Sequence, residues 1–177
     1  MNLFINNKKK IIIAGILVIV FAGGFFIGQN LFADNNDIEE GIEPGQLAPD
    51  FTLTNLDGEE VSLSDYRDKY VLINFWTTWC PNCLAELPFL EDLQNNYPDD
   101  VKVLAVNFGE GQGTINEFMD DMEFEDFMVL IDENQAVGRE YLVRGVPTNV
   151  FIDRDGTVIA RVVGYMEYDN IVAQFDL

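Results

Sequence analysis

From Tyr70 to Trp76 the chain runs through seven residues that are apolar and β-rich apart from Asn74, and four residues later it reaches Cys80-Pro81-Asn82-Cys83. A continuous apolar run of this length reads as a central strand covered on both faces. Beyond the second cysteine, Leu84, Leu87, Leu90, Leu93 and Tyr97 recur at helical spacing, with a kink expected at Pro88. The cysteine pair thus sits where a buried strand hands over to an amphipathic helix.

The remaining periodicity extends that pattern. Residues 51–54 and 60–62, joined through Asp57-Gly58, predict a hairpin. Residues 101–106 and 128–131 predict further strands, and residues 114–122 and 135–141 predict helices. Residues 149–152 and 158–163 flank Asp155-Gly156, a strong hairpin signal, and residues 168–175 predict a terminal helix. Strands alternating with helices and closing on a hairpin imply an α/β fold with a central mixed sheet flanked by helices.

The amino-terminal end carries a different signal. Residues 11–28 form an uncharged, mostly apolar stretch of 18 residues, which as a helix spans ~27 Å, close to the hydrocarbon thickness of a bilayer. Lys8, Lys9 and Lys10 precede it, so the rest of the chain is expected on the outer side of the membrane. The preferred organisation is a basic stub over 1–10, a transmembrane signal anchor over 11–28, an acidic linker over 29–46 and a folded domain over 47–177. A cleaved signal peptide is the competing reading, although Leu31 is too large for the small-residue pattern before Ala33. A core helix is the third.

Charge and composition narrow the chemistry. From Asp34 onward the chain holds all 31 acids against seven bases, a net charge of −24. Such a field repels phosphate backbones, so no nucleic-acid partner is expected, and the acidity itself reads as a solubility feature. There is no histidine, which removes Cys-His and Ser-His nucleophiles and most zinc sites. Neither a metal nor a cofactor is expected.

The setting of the dithiol predicts its reactivity. Proline favours the first position of a helix, so Pro81 makes Cys80 the N-cap residue. Backbone N–H groups of Asn82 and Cys83 are then free to meet its sulfur at the positive end of the helix dipole, and both effects favour thiolate. Cys80 is expected to be the exposed nucleophile and Cys83, one turn on, the shielded resolving thiol. The alternative is a structural disulfide. A bridge that encloses only two residues constrains the unfolded chain little, so exchange chemistry is preferred.

These residues resemble the thioredoxin superfamily, and within it the membrane-tethered ResA/TlpA-like group associated with cytochrome c maturation. The matching segments are Ala48-Pro49-Asp50-Phe51-Thr52-Leu53, Asn74-Phe75-Trp76-Thr77-Thr78-Trp79-Cys80-Pro81-Asn82-Cys83, Glu86-Leu87-Pro88 and Gly145-Val146-Pro147-Thr148. The opening segment is also peroxiredoxin-like. The resemblance covers residues 47–177 and implies a thioredoxin-like fold with an N-terminal β-hairpin extension. It implies a cis bond between Val146 and Pro147, beside the dithiol, where the Val146 backbone offers strand-like pairing to an extended substrate. It also implies that Glu86 exchanges a proton with Cys83 or raises the thiol pKa values by like-charge repulsion, against the plainer reading of an acid facing the helix dipole. Trp76 and Trp79 are expected to shield the sulfurs, with Trp79 also contacting substrate, against the alternative that either is core packing alone. Two departures stand out. Asn74 occupies the place of the buried aspartate of ordinary thioredoxins, and proline follows the first cysteine where many relatives place it before the second.

The resemblance implies a reductase of disulfides in exported proteins, with apocytochrome c as client and a membrane electron donor as reductant. A general oxidase or isomerase for secreted proteins is the alternative. Peroxide reduction fits the opening segment but needs a different nucleophile setting from this strand-to-helix dithiol, and a purely binding role predicts that replacing Cys80 by serine leaves function intact.

Overall fold

The computed structural model describes residues 38–122 and 128–177. The expected stub and membrane anchor, residues 1–28, lie outside the described residues, as does the first part of the linker. Among the described residues no helix is long and apolar enough to cross a membrane.

Seven strands form one sheet in the order β2-β1-β5-β4-β3-β6-β7. They are β1 (Thr52–Asn55), β2 (Glu60–Ser62), β3 (Tyr70–Trp76), β4 (Val101–Phe108), β5 (Val129–Asp132), β6 (Thr148–Ile152) and β7 (Val158–Val163). The helices are α1 (Pro81–Asn96), α2 (Gln112–Asp120), α3 (Ala136–Glu140) and α4 (Tyr168–Val172), with a short 3-10 turn over Leu63–Tyr66. β3, β4 and β5 are parallel; β6 runs antiparallel to β3, and β1 antiparallel to β5. The sheet is therefore mixed, and the β1–β2 hairpin extends it beyond β5. Gly58 and Gly156 close the two expected hairpins with φ of +85° and +90°, a region that side chains with a Cβ avoid.

Alternation along β3 divides the core. Val71, Ile73 and Phe75 face one side, with Leu104, Val106 and Val150, and are covered by Leu63, Val137 and Tyr141. Leu72 and Trp76 face the other, with Val103 and Phe151, beneath Leu87, Leu90 and Leu93 of α1 and Ile171 of α4. Helices on both faces explain why β3 reads as an unbroken apolar run. α1 continues through Pro88 to Asn96.

Residues 40–46 differ from the expected linker. Glu40 bridges Leu47, Leu47 bridges Thr157, and the Gly45 N–H donates to the Val158 carbonyl at 2.9 Å. Ile42 is buried in the core. The ordered fold thus begins upstream of Leu47, because a single isoleucine and backbone pairing to the start of β7 tie down a segment whose other side chains are polar.

Candidate active site

The carboxyl end of β3 delivers Thr77, Thr78 and Trp79 and then opens α1. Cys80 is the N-cap of that helix, with extended backbone angles (φ −92°, ψ 107°), and Pro81 is its first residue. The Cys83 N–H donates to Cys80 Sγ at 3.2 Å. A sulfur in this place receives a backbone donor at the positive end of a 16-residue helix, the arrangement that stabilises a thiolate. Cys80 and Cys83 are joined as a disulfide, with their Cα atoms 5.3 Å apart.

Cys83 is 1% exposed and Cys80 5%, so the expectation of an exposed Cys80 needs correction. In the oxidised pair the Cys80 sulfur is bonded to Cys83 and lies 3.6 Å from the Val146 carbonyl oxygen. Only a narrow approach to it remains. The bond between Val146 and Pro147 is cis. Val146 is half-buried between the two core clusters, and Pro147 is buried. The Gly164 N–H donates to the Pro147 carbonyl at 2.8 Å, and the Thr148 hydroxyl donates to that of Gly145 at 2.7 Å, which fixes this loop against the end of β7.

The two tryptophans part company. Trp76 is fully buried and packs in the cluster that holds both cysteines, whereas Trp79 is 71% exposed. Trp79 presents most of its indole to solvent next to Cys80 in sequence. The alternation of β3 sends Trp76 into the core, and Trp79 lies beyond the strand's end, where no sheet face covers it.

Glu86 is fully buried on the sheet-facing side of α1, with Cys83, Leu87 and Leu90. Its Oε1 accepts from Asn149 Nδ2 at 2.6 Å, and Asn149 Oδ1 accepts from Asn74 Nδ2 at 2.8 Å. Burial pushes the Glu86 carboxyl up to about 7, while the Asn149 amide and the nearby Met166 backbone N–H act in the opposite direction. A carboxyl poised near neutrality, one helical turn from Cys83, is suited to taking or giving a proton during exchange.

Two further residues shape the site and carried no signal as such. Asn149 lies directly opposite Asn74 in the antiparallel β3–β6 register, so both amides point to the same face as Glu86. The amide side chain in each buried strand was the available hint, because buried amides require partners. Glu110 follows β4 and accepts from Thr78 through both the backbone N–H (2.8 Å) and the hydroxyl (2.7 Å), and from Asn107 Nδ2 at 2.8 Å. β3 and β4 are parallel, so their carboxyl ends lie together, the edge at which α/β sheets place their sites. Among the described residues no cluster of three or more histidine, cysteine, aspartate or glutamate side chains is placed to hold a metal.

Comparison with known proteins points the same way as this geometry. A family model described as AhpC/TSA family matches residues 44–161. The thioredoxin-like protein YneN of Bacillus subtilis is 38% identical over 93% of this chain and 96% of its own length. Thiol-disulfide oxidoreductase ResA of Geobacillus kaustophilus is 37% identical over 88% of this chain and 87% of its own. Among solved structures, a candidate thiol:disulfide interchange protein DsbE from Chlorobium tepidum superposes with a TM-score of 0.70 at 32% identity, covering 76% of this chain and 96% of that one. The pneumococcal exposed lipoprotein thioredoxin Etrx1 from Streptococcus pneumoniae gives 0.66 at 32% identity, covering 71% and 96%. With the sheet order, the helix-capping cysteine and the adjoining cis proline in place, the chain belongs to the AhpC/TSA family as a thioredoxin-like thiol-disulfide oxidoreductase.

Proposed function

We propose that the chain is an extracytoplasmic reductase of disulfides in exported proteins, apocytochrome c among them, held at the membrane by residues 11–28 and recharged by a membrane electron donor. The observation that carries this reading is the buried Glu86 behind a helix-capping dithiol, near neutral in proton affinity. The names of the relatives add to it: ResA is a thiol-disulfide oxidoreductase, and the pneumococcal protein is an exposed lipoprotein thioredoxin. The unbroken apolar stretch 11–28 behind three lysines supports the outward-facing placement.

The reaction begins from the reduced pair. A client strand aligns with the Val146 carbonyl beside Cys80, and Trp79 offers it an apolar surface. The Cys80 thiolate attacks one client sulfur, forming a mixed disulfide and releasing the other client sulfur as thiolate, which takes a proton from solvent. Glu86 accepts the Cys83 proton, and the Cys83 thiolate attacks Cys80 Sγ. The second client sulfur departs as a thiolate and is protonated from solvent, Glu86 later releases the Cys83 proton, and the client leaves with both cysteines reduced while the enzyme is left as the Cys80–Cys83 disulfide. Two electrons have moved to the client, and the membrane donor returns them. Reduction is needed on that side of the membrane because an oxidised apocytochrome has no free thiols to bond to haem.

Trapping tests the proposal. Full-length chain carrying Cys83→Ser, produced in cells, should accumulate mixed disulfides with a narrow set of exported c-type cytochrome precursors. A broad set of secreted proteins would instead assign a general oxidase or isomerase.

A further inference from the structure

Asn74, Asn149 and Glu86 form a buried polar chain inside a face that is otherwise apolar. Asn74 is 1% exposed, Asn149 and Glu86 0%, and their neighbours on the same face are Leu72, Trp76, Phe151 and Leu87. Each link has a direction. Asn74 Nδ2 donates to Asn149 Oδ1 at 2.8 Å, and Asn149 Nδ2 donates to Glu86 Oε1 at 2.6 Å. Turning the Asn149 amide over would set its Nδ2 against Asn74 Nδ2 and its Oδ1 against the Glu86 carboxylate, donor to donor and acceptor to acceptor. With Asn74 Nδ2 occupying Asn149 Oδ1, the Asn149 Nδ2 is the group left to donate toward Glu86, although Asn74 Oδ1 itself is buried without a partner among the described residues. Glu86 Oε2 is buried without a hydrogen-bond partner among the described residues. Oε1 is committed as an acceptor from Asn149, and the Met166 backbone N–H is a second donor near the carboxyl, so Oε2 is the oxygen left to carry an arriving proton.

We propose that Asn149, oriented by Asn74, is a positioning residue for disulfide exchange: it directs the Glu86 proton to Oε2 and holds Glu86 able to ionise inside the core. This inference rests on the reading of Glu86 as the proton partner of Cys83. The physical need is plain. A carboxylate in an apolar layer without a donor stays protonated and cannot take the Cys83 proton. The Asn149 amide, held from behind, offsets part of that burial, with the Met166 backbone N–H as a second and smaller contribution. The titratable group that interacts with Glu86 is the Tyr165 phenol just after β7, and Cys83 shares the buried face of its own helix one turn earlier. β3 and β6 contribute the two amides. The strand that carries Asn149 also carries the cis Pro147 two residues earlier, so one element positions both the client-facing loop and the proton acceptor.

The test uses the full chain in detergent. In the oxidised wild type the thiols do not titrate, and the protonated-carboxyl infrared band of Glu86 is identified by its absence from Glu86→Gln. The side-chain amide resonances of Asn149 and Asn74 should move with pH at the midpoint of that band and stand still in Glu86→Gln. Resonances of Asn149 that ignore pH while the band titrates overturn the proposal without any change at Asn149. For the reaction, the pH profile of exchange between the reduced chain and dithionitrobenzoate is compared. Asn149→Leu should move the Glu86-dependent limb upward by about one to two pH units, the range expected for loss of one hydrogen bond to a charged group. It should move nothing further in a Glu86→Gln background. A profile indifferent to Glu86→Gln removes the underlying reading and this inference with it. A profile that responds to Glu86→Gln and not to Asn149→Leu overturns the inference alone.

Discussion

Thr78 and Glu110, 32 residues apart, are joined twice: the Thr78 backbone N–H and its hydroxyl donate to the two oxygens of one carboxylate, at 2.8 and 2.7 Å. Asn107 adds a third donor to that carboxylate. The segment between β3 and α1 that carries Trp79 and ends at Cys80 is thereby tied to the end of β4. Glu110→Leu removes both acceptor oxygens and leaves the Thr78 backbone N–H and the Asn107 amide without this partner. It should cost about 1–3 kcal/mol of stability, the price of an unsatisfied part-buried partner. Urea unfolding of the oxidised protein measures this, and an unchanged midpoint would remove the anchoring role.

Glu86 predicts a pH dependence of stability with a definite sign. Its ordinary value is 4.5, and in the fold it is held up to about 7. Below the lower value both folded and unfolded chains carry the proton, and ionisation costs nothing. Between the two values the unfolded chain ionises first, so stability falls as pH rises, and the loss is complete above the folded value. The total is on the order of 3 kcal/mol. Glu86→Gln lacks this fall, so its stability relative to wild type should improve by roughly that amount from acid to mildly alkaline pH. Parallel unfolding curves for the two oxidised proteins at all pH values would contradict it.

The two tryptophans separate packing from client contact. Trp76→Ala empties a fully buried indole site and should destabilise by about 3–5 kcal/mol. Trp79→Ala removes a 71% exposed side chain and should change stability by no more than about 0.5 kcal/mol. Its effect should fall on the rate of exchange with a protein disulfide, with little effect on a small aromatic disulfide. Equal losses on both substrates would argue against a client-contact role.

Residues 38–46 are expected to stabilise the domain. A soluble form starting at Leu47 lacks the burial of Ile42 and the Gly45 N–H and Gln46 carbonyl bonds to Val158. It should be less stable than one starting at Ile38 by about 2–3 kcal/mol, chiefly the transfer of one isoleucine. Thermal unfolding of the two forms checks this; equal midpoints would return the segment to the status of a spacer.

How much was legible follows from the range of the interactions involved. The β3 run, the leucine spacing of α1 and the Asp57-Gly58 and Asp155-Gly156 turns are local patterns, and each element appeared where its pattern lay, within a few residues at its ends. The capping position of Cys80 was local too, since Pro81 at the first helical place fixes its neighbour. The ordered segment upstream of Leu47 was not legible, because its composition is polar and its stability comes from one side chain and a strand more than a hundred residues away. The burial of Cys80 and the exposure of Trp79 depend on what covers the end of the sheet, which no window of residues around them encodes.

The order of residues by itself determined an α/β layering and a sulfur at the mouth of a helix, since both arise from periodicity and from neighbours within one turn. Tertiary structure alone decided what surrounds that sulfur. Glu86 meets Asn149 across 63 residues, and Cys80 meets Val146 across 66. Such partners are chosen by strand register and helix docking, which depend on the packing of the whole core; only after that packing does a glutamate acquire the burial that holds its proton near neutral pH.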